Sequence, residues 1–341
     1  MGRITGHSYK YFSSDLNNIS RGIVVGDFQW VPQSLNKRNA YNIKKIEGLI
    51  KKSKPNFIII PGDLVESIMY LKEKRNQDEF LDTMKRVTDE RATFWIGGNH
   101  DNGMINIEGK WQSSNEGVEI VRNVLSKALN MYYVGEKGGV SLADAMIVGK
   151  DFSPTNINIS GIEFPIQYYI EQKECLESYL FHLKSSIEVQ KENFCQNDGL
   201  NICLLHDVRK LIMLGKKAQI PTDLMSALQD IDFLIGGHNH NLGIPNIVAE
   251  LLGGNAGLFS PSGELFPTDG RGTQYILGIE TMQVGHINFT PSNKPLDLIW
   301  GHNPWGNIVE FMPQHNRSQI GLIKQPQRYY RALVKSNKTG N

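Results

Sequence analysis

The chain has 341 residues, with 36 basic against 35 acidic side chains and a formal net charge of +1. That length permits one large domain or two small ones with a full core, and no apolar run approaches the roughly 20 residues that span a bilayer. Three cysteines (Cys175, Cys195 and Cys203), widely spread and without a C-x-x-C pair, argue against a disulfide framework and a cysteine-based zinc knuckle.

Residues 1–20 form a polar arm without the apolar core of a signal peptide, so the cytoplasm is the expected location. The elements begin after it. A buried-type strand, Gly22 to Gly26, delivers Asp27 and Gln29. Ala40, Ile43, Ile46 and Ile50 lie on one face of a predicted helix from Asn39 to Lys52, which Pro55 stops. A second strand, Phe57 to Ile60, leads to Asp63 and Glu66. A helix over Gln77 to Asp89 then buries Phe80, Leu81, Met84 and Val87. The third strand starts at Phe94 and ends in two glycines and the turn Asn99, His100, Asp101. The loop from Asn102 to Glu116, with Trp111, is a candidate substrate wall, and a helix from Asn115 to Leu129 follows.

Beyond this point helices thin out. Met131 to Val134, Val140 to Leu142, Met146 to Lys150 and Ile157 to Phe164 read as short strands. A long helix from Gln172 to Phe194 turns Leu176, Tyr179, Leu180, Leu183 and Ile187 inward and leaves His182 on the surface. Next come a strand ending in His206 and Asp207, helical stretches through Leu211 and from Thr222, and a strand ending in His238 and His240. A glycine-rich stretch from Pro245 to Gly272 precedes strands at Gln274 to Ile279, Met282 to Phe289 and Ile308 to Phe311. The alternating first part implies parallel pairing, with ligand residues at the carboxyl ends of the strands. The later strands imply a second sheet, and hence an α/β sandwich with helices outside.

Five apolar strands therefore end in residues that bind metals. Asp27 and Gln29, like His238 and His240, are two apart, a spacing that puts both side chains on one side of an extended segment. Two carboxylates, one or two amides and three histidines suffice for two metal ions with mixed oxygen and nitrogen ligation, without thiolate. A carboxylate shared by two ions about 3.5–4 Å apart sets up metal-assisted hydrolysis of a phosphate ester.

In order and approximate spacing these stretches resemble the calcineurin-like metallophosphoesterase superfamily, whose pattern is D-x-H, G-D, G-N-H-[DE], H and G-H-x-H. Residues 22–240 carry the resemblance. It implies a four-layer α/β/β/α sandwich over residues 21–312. It also implies Asp27, Gln29, Asp63 and His240 as ligands of a first metal, with Asp63, Asn99, His206 and His238 holding a second and Asp63 shared. His100, held by Asp101, would protonate the leaving oxygen. The implied activity is dimetal hydrolysis of phosphate esters, phosphodiesters first, on a small molecule or nucleotide. The alternatives are a nucleotide or small-molecule phosphomonoesterase and, from another class, a metal-poor scaffold that binds a partner.

Two positions depart from the pattern. Gln29 stands where the family has histidine, and an amide oxygen is the harder and weaker donor. The first site should thus bind less tightly and tilt towards Mn2+ or Mg2+ over Zn2+. For the two ions together Mn2+ is expected first, with Mg2+, Fe or Zn2+ as the other candidates. Glu66 stands where many members have a second aspartate. Ser67 and Asp101 point away from the serine/threonine protein phosphatase branch, which has arginine soon after that aspartate and G-N-H-E. The basic tail, residues 313–341, holds Arg317, Lys324, Arg328, Arg331, Lys335 and Lys338 and no acid, which leaves the body acidic. It reads either as a solvated tail or as a contact for an anionic surface with Tyr329 and Tyr330 interleaved.

Overall fold

A computed structural model describes residues 7–10, 20–35, 40, 43, 44, 46–48, 50, 51, 54–107, 110–113, 116–135, 140, 141, 157–164, 176–195, 200–208, 211, 221–228, 231, 233–238, 262–264, 274–277 and 307–311. Its strands are β1 (His7–Lys10), β2 (Ser20–Val24), β3 (Phe57–Ile60), β4 (Ala92–Trp95), β5 (Ile105–Ile107), β6 (Lys110–Gln112) and β7 (Met131–Tyr133). They continue with β8 (Val140–Ser141), β9 (Ile157–Ile162), β10 (Leu200–Leu205), β11 (Phe233–Gly236), β12 (Ser262–Glu264), β13 (Gln274–Leu277) and β14 (Asn307–Phe311). The helices are α1 (Lys74–Thr88), α2 (Glu119–Leu125), α3 (Leu176–Cys195) and α4 (Thr222–Leu228), and most described residues among 40–51 are also helical.

Among the described residues two six-stranded sheets result, in the orders β1-β14-β2-β3-β4-β7 and β12-β13-β11-β10-β9-β8. Pairing is parallel from β2 through β3 and β4 to β7, and from β9 through β10 and β11 to β13. The period-2 alternation of the strands explains the layering. Val24, Phe57, Ile59, Phe94 and Ile96 meet Ile159, Ile202, Leu204 and Ile235 in a dry core that joins strands of both sheets. Their neighbours Ile23, Ile58, Ile60 and Trp95 face the other way, onto Ile43, Ile46 and Ile50, the α1 residues Phe80, Leu81, Met84 and Val87, and Val121, Val124 and Leu125 of α2. Burying each such side chain contributes about 1.5–3 kcal/mol, so both faces of the first sheet are fixed. On the second sheet α3 buries Tyr179, Leu183 and Ile187, and Gln190 Nε2 donates to the Gly161 carbonyl at 3.2 Å. The layers are thus helix, sheet, sheet, helix.

Several elements differ from the sequence reading. α1 starts at Lys74, three residues early, and stops where Asp89 takes a left-handed φ of +50° and donates its N–H to the Lys85 carbonyl. α2 is shorter than the predicted helix. The expected loop after Asn102 contains the antiparallel hairpin β5–β6. β1 arises from the arm, as an edge strand parallel to β14. His182 is not a free surface histidine: its Nε2 lies 3.0 Å from the Glu163 carbonyl oxygen, tying α3 to the end of β9. The predicted strands Met146 to Lys150 and Met282 to Phe289, together with the basic tail, lie outside the described residues. Among the described residues no helix is long and apolar enough to cross a membrane.

Candidate metal centre

The loops that follow β2, β3, β4, β10 and β11 meet at one end of the sandwich. Asp27 and Gln29 both adopt φ of +42°, Asp63 +53° and His238 +64°. The first motif is therefore not the extended segment expected from its spacing, since β2 ends at Val24. Left-handed backbone at non-glycine residues costs on the order of 1–3 kcal/mol each and persists only where the surroundings enforce it. Here the loops brace one another. Gln29 N–H donates to the Asp63 carbonyl at 2.7 Å, Trp30 N–H to Leu64 at 2.9 Å, and Glu66 N–H back to Trp30 at 3.1 Å. His238 N–H donates to Asp27 Oδ1 at 3.0 Å.

His206 is the centre of the arrangement and is fully buried. Its Nδ1 lies 2.7 Å from the Pro61 carbonyl oxygen. A carbonyl only accepts, so Nδ1 carries the proton and Nε2 points its lone pair elsewhere. Asn99 Oδ1 stands 3.1 Å from Nε2 and Asp63 Oδ2 3.4 Å from it. Among the described residues, Asp63 Oδ2 is buried and has no donor at hydrogen-bonding geometry. Three lone-pair atoms facing one another repel until a cation lies among them, or a proton replaces it. Burial alone would lower the His206 pKa, but the carboxylates of Asp63 and then Asp27 outweigh it and hold the ring up at about 10. Asp63 is driven the other way, well below the carboxylate range: burial opposes this, and His206, His100 and His238 overcome it. Asp63, His206 and His238 each offer one ligand atom, all within 4.8 Å of one another. Oxygen and imidazole donors without thiolate suit Mn2+, Fe2+ or Zn2+, so the residues present fit a metal.

Around this group, Asp207 Oδ2 lies 3.6 Å from His238 Nε2, and the Tyr179 hydroxyl anchors Asp207 by donating to its carbonyl at 3.2 Å. Phe164 sets its ring edge against His206, with centroids 5.7 Å apart, and stands 6.3 Å from His238. Two glycines make the room. A Cβ on Gly62, at φ of +108°, would come within 2.4 Å of His206 Nδ1; one on Gly98 would come within 2.2 Å of Asp63 Oδ1 and 2.6 Å of its backbone nitrogen. Gly98→Ala is accordingly expected to displace Asp63, costing stability and metal uptake together. A thermal melt and metal analysis check it, and an unchanged variant would show that the carboxylate is not held there.

His100 is half-buried. Its backbone N–H donates to Asp63 Oδ1 at 2.9 Å, and its Nδ1 lies 2.6 Å from the Glu66 carbonyl oxygen. The expected pairing with Asp101 is corrected by this geometry. The Asp101 carboxylate is spent on backbone amides, accepting from Gly98 at 2.9 Å and from Leu64 and Val65 at 3.1 Å each. Burial, then the nearby Asp63 carboxylate, push its pKa up to about 6 against the pull of those amides. Glu66 supports the imidazole through its main chain.

A family model described as calcineurin-like phosphoesterase matches residues 21–242, more than half of the chain. The chain belongs to this family. The family implies phosphoric ester hydrolysis at a dimetal site. Among solved structures, the phosphoesterase is similar to a purple acid phosphatase from yellow lupin (Lupinus luteus) seeds, at 18% identity and a TM-score of 0.34. That match covers 66% of this chain and 38% of the lupin chain. A dimetal phosphatase from Danio rerio is 13% identical, with a TM-score of 0.30, over 76% of this phosphoesterase and 87% of the fish protein. No curated protein matches the chain.

Of the residues expected at the site, the structure brings together Asp27, Gln29, Asp63, Asn99, His100, His206 and His238, while His240 lies outside the described residues. Phe164 and the carbonyls of Pro61 and Glu66 escaped the sequence reading. A phenylalanine after a strand looks like core, and a main-chain acceptor has no residue signature.

Proposed function

We propose that this phosphoesterase hydrolyses phosphodiesters at a two-metal centre with Mn2+ as its working ion. The convergence of Asn99 Oδ1 and Asp63 Oδ2 on His206 Nε2, at 3.1 and 3.4 Å, carries the reading. Asp63, Asn99, His206 and His238 would hold one ion, and Asp27, Gln29, Asp63 and His240 the other. When bound, the ions supply an activated water and neutralise charge on the phosphoryl oxygens. The chain's own residues do the rest. Pro61 fixes the His206 tautomer that exposes Nε2 to an ion. His100, oriented by the Glu66 carbonyl at Nδ1, would give the leaving oxygen its proton from Nε2. The phosphodiester preference rests on Ser67 and Asp101, which depart from the protein phosphatase pattern. The acidic body disfavours long nucleic acids.

Metal analysis of the purified protein, beside a panel of model phosphate mono- and diesters, tests the proposal. Two ions per chain and faster diester cleavage are expected; faster monoester cleavage would move the protein to the phosphomonoesterase reading. Gln29 supplies a second test. Its side chain is buried in the loop that contacts Asp63, and an amide oxygen is a weak ligand. Activity should therefore depend on added Mn2+, and Gln29→His should bind it about tenfold tighter or better and relax the dependence. Identical calorimetric titrations for the two proteins would show that Gln29 does not reach the ion. A chain that takes up no metal and cleaves no ester in either form would be the scaffold.

A further inference from the structure

Asp101 has a carboxylate that neither touches the ligand cluster nor holds the histidine beside it, although it is fully buried. Gly62 and Asp63 both have positive φ, +108° and +53°. Successive backbone amides that point to one side form a concave nest for an anion. The amides of Leu64 and Val65 are those donors, and Asp101 fills the nest, with Oδ2 on Leu64 and Oδ1 on Val65. Oδ2 also accepts from Gly98, in the next strand's loop. One carboxylate thus joins the residue after Asp63 to the residue before Asn99.

We infer that Asp101 is a positioning residue that fixes Asp63 relative to Asn99, and so sets the geometry of the metal pair, rather than a partner in proton transfer; the metal part rests on the function proposed above. The carboxylate holds Asp63 in its left-handed conformation, from which Oδ1 meets His100 N–H and Oδ2 faces His206. Both arms of the side chain must accept. Asparagine has the same shape but turns one arm into a donor against an N–H, whichever way it is placed.

Asp101→Asn is the test, read three ways. In the metal-free protein, hydrogen exchange should show Leu64, Val65 and Gly98 amides protected in the native chain and unprotected in the variant, with Ile202 and Leu204 of β10 unchanged. Mn2+ binding should weaken by about 10–100-fold, as for other groups that orient ligands, and the magnetic coupling of the two Mn2+ ions should disappear from the electron paramagnetic resonance spectrum. Hydrolysis should fall equally for esters with good and poor leaving groups. Unaltered exchange at the three amides, or a rate loss confined to poor leaving groups with Mn2+ affinity intact, would overturn the inference. A native chain that binds no Mn2+ would defeat the two-metal reading, and the exchange data would still judge the clamp. If the variant does not fold, the native chain decides alone: Leu64 and Val65 amides that exchange freely would rule the clamp out.

Discussion

Asp63→Asn is expected to lose both metal ions and reduce hydrolysis to background while the fold survives. Asp63 is fully buried, and its two oxygens have separate tasks. Oδ1 accepts from His100 N–H, and Oδ2 faces His206 Nε2 at 3.4 Å. Asparagine has the same size, and its carbonyl oxygen can keep the bond to His100. An NH2 group then faces Nε2, where it has protons to offer and a cation needs lone pairs. The charge is lost as well, and with it the largest influence that holds His206 charged at up to about 10. Because the same carboxylate is proposed to serve both ions, occupancy should fall at both sites together. Metal analysis beside an ester assay and a circular dichroism spectrum checks the outcome. A folded variant that keeps two ions and turns over substrate would end the assignment of Asp63 as the shared ligand.

Much of this arrangement was legible because a strand buried on both faces must be apolar throughout. Phe57 to Ile60 is such a run, and the polar residue just beyond it stands out. The same contrast marks His206 after β10 and His238 after β11. The sandwich followed from the change from alternating helices and strands to strands alone. What stayed hidden has physical reasons. The left-handed turns at Asp27, Gln29 and Asp63 are enforced by contacts between loops, and no local propensity announces them. Support for His100 comes from a carbonyl, which every residue possesses, so its source at Glu66 could not be read from residue types. Asp101 was given to its sequence neighbour because adjacency suggests pairing, whereas its carboxylate serves amides from two loops, two of them 36 and 37 residues away. β1 has the residues His7, Ser8, Tyr9 and Lys10, a polar edge strand without the apolar run by which buried strands are recognised.

His100→Ala is expected to leave both metals in place and to slow cleavage of esters with poor leaving groups by on the order of 10²–10⁴-fold. The structure separates the two effects. The contact of His100 with Asp63 runs through the backbone N–H, at 2.9 Å to Oδ1, and alanine retains it. Only the ring is removed, with the Nδ1 contact to the Glu66 carbonyl that sets its orientation. If the ring's Nε2 proton passes to the departing oxygen, an alkoxide-like leaving group should suffer most. A nitrophenolate-like group, stable as the anion, should suffer least. Measuring both ester types across a pH range, with metal content followed in parallel, decides the matter. Equal losses on the two esters would instead give His100 a part in binding substrate, and loss of metal would make the imidazole a ligand.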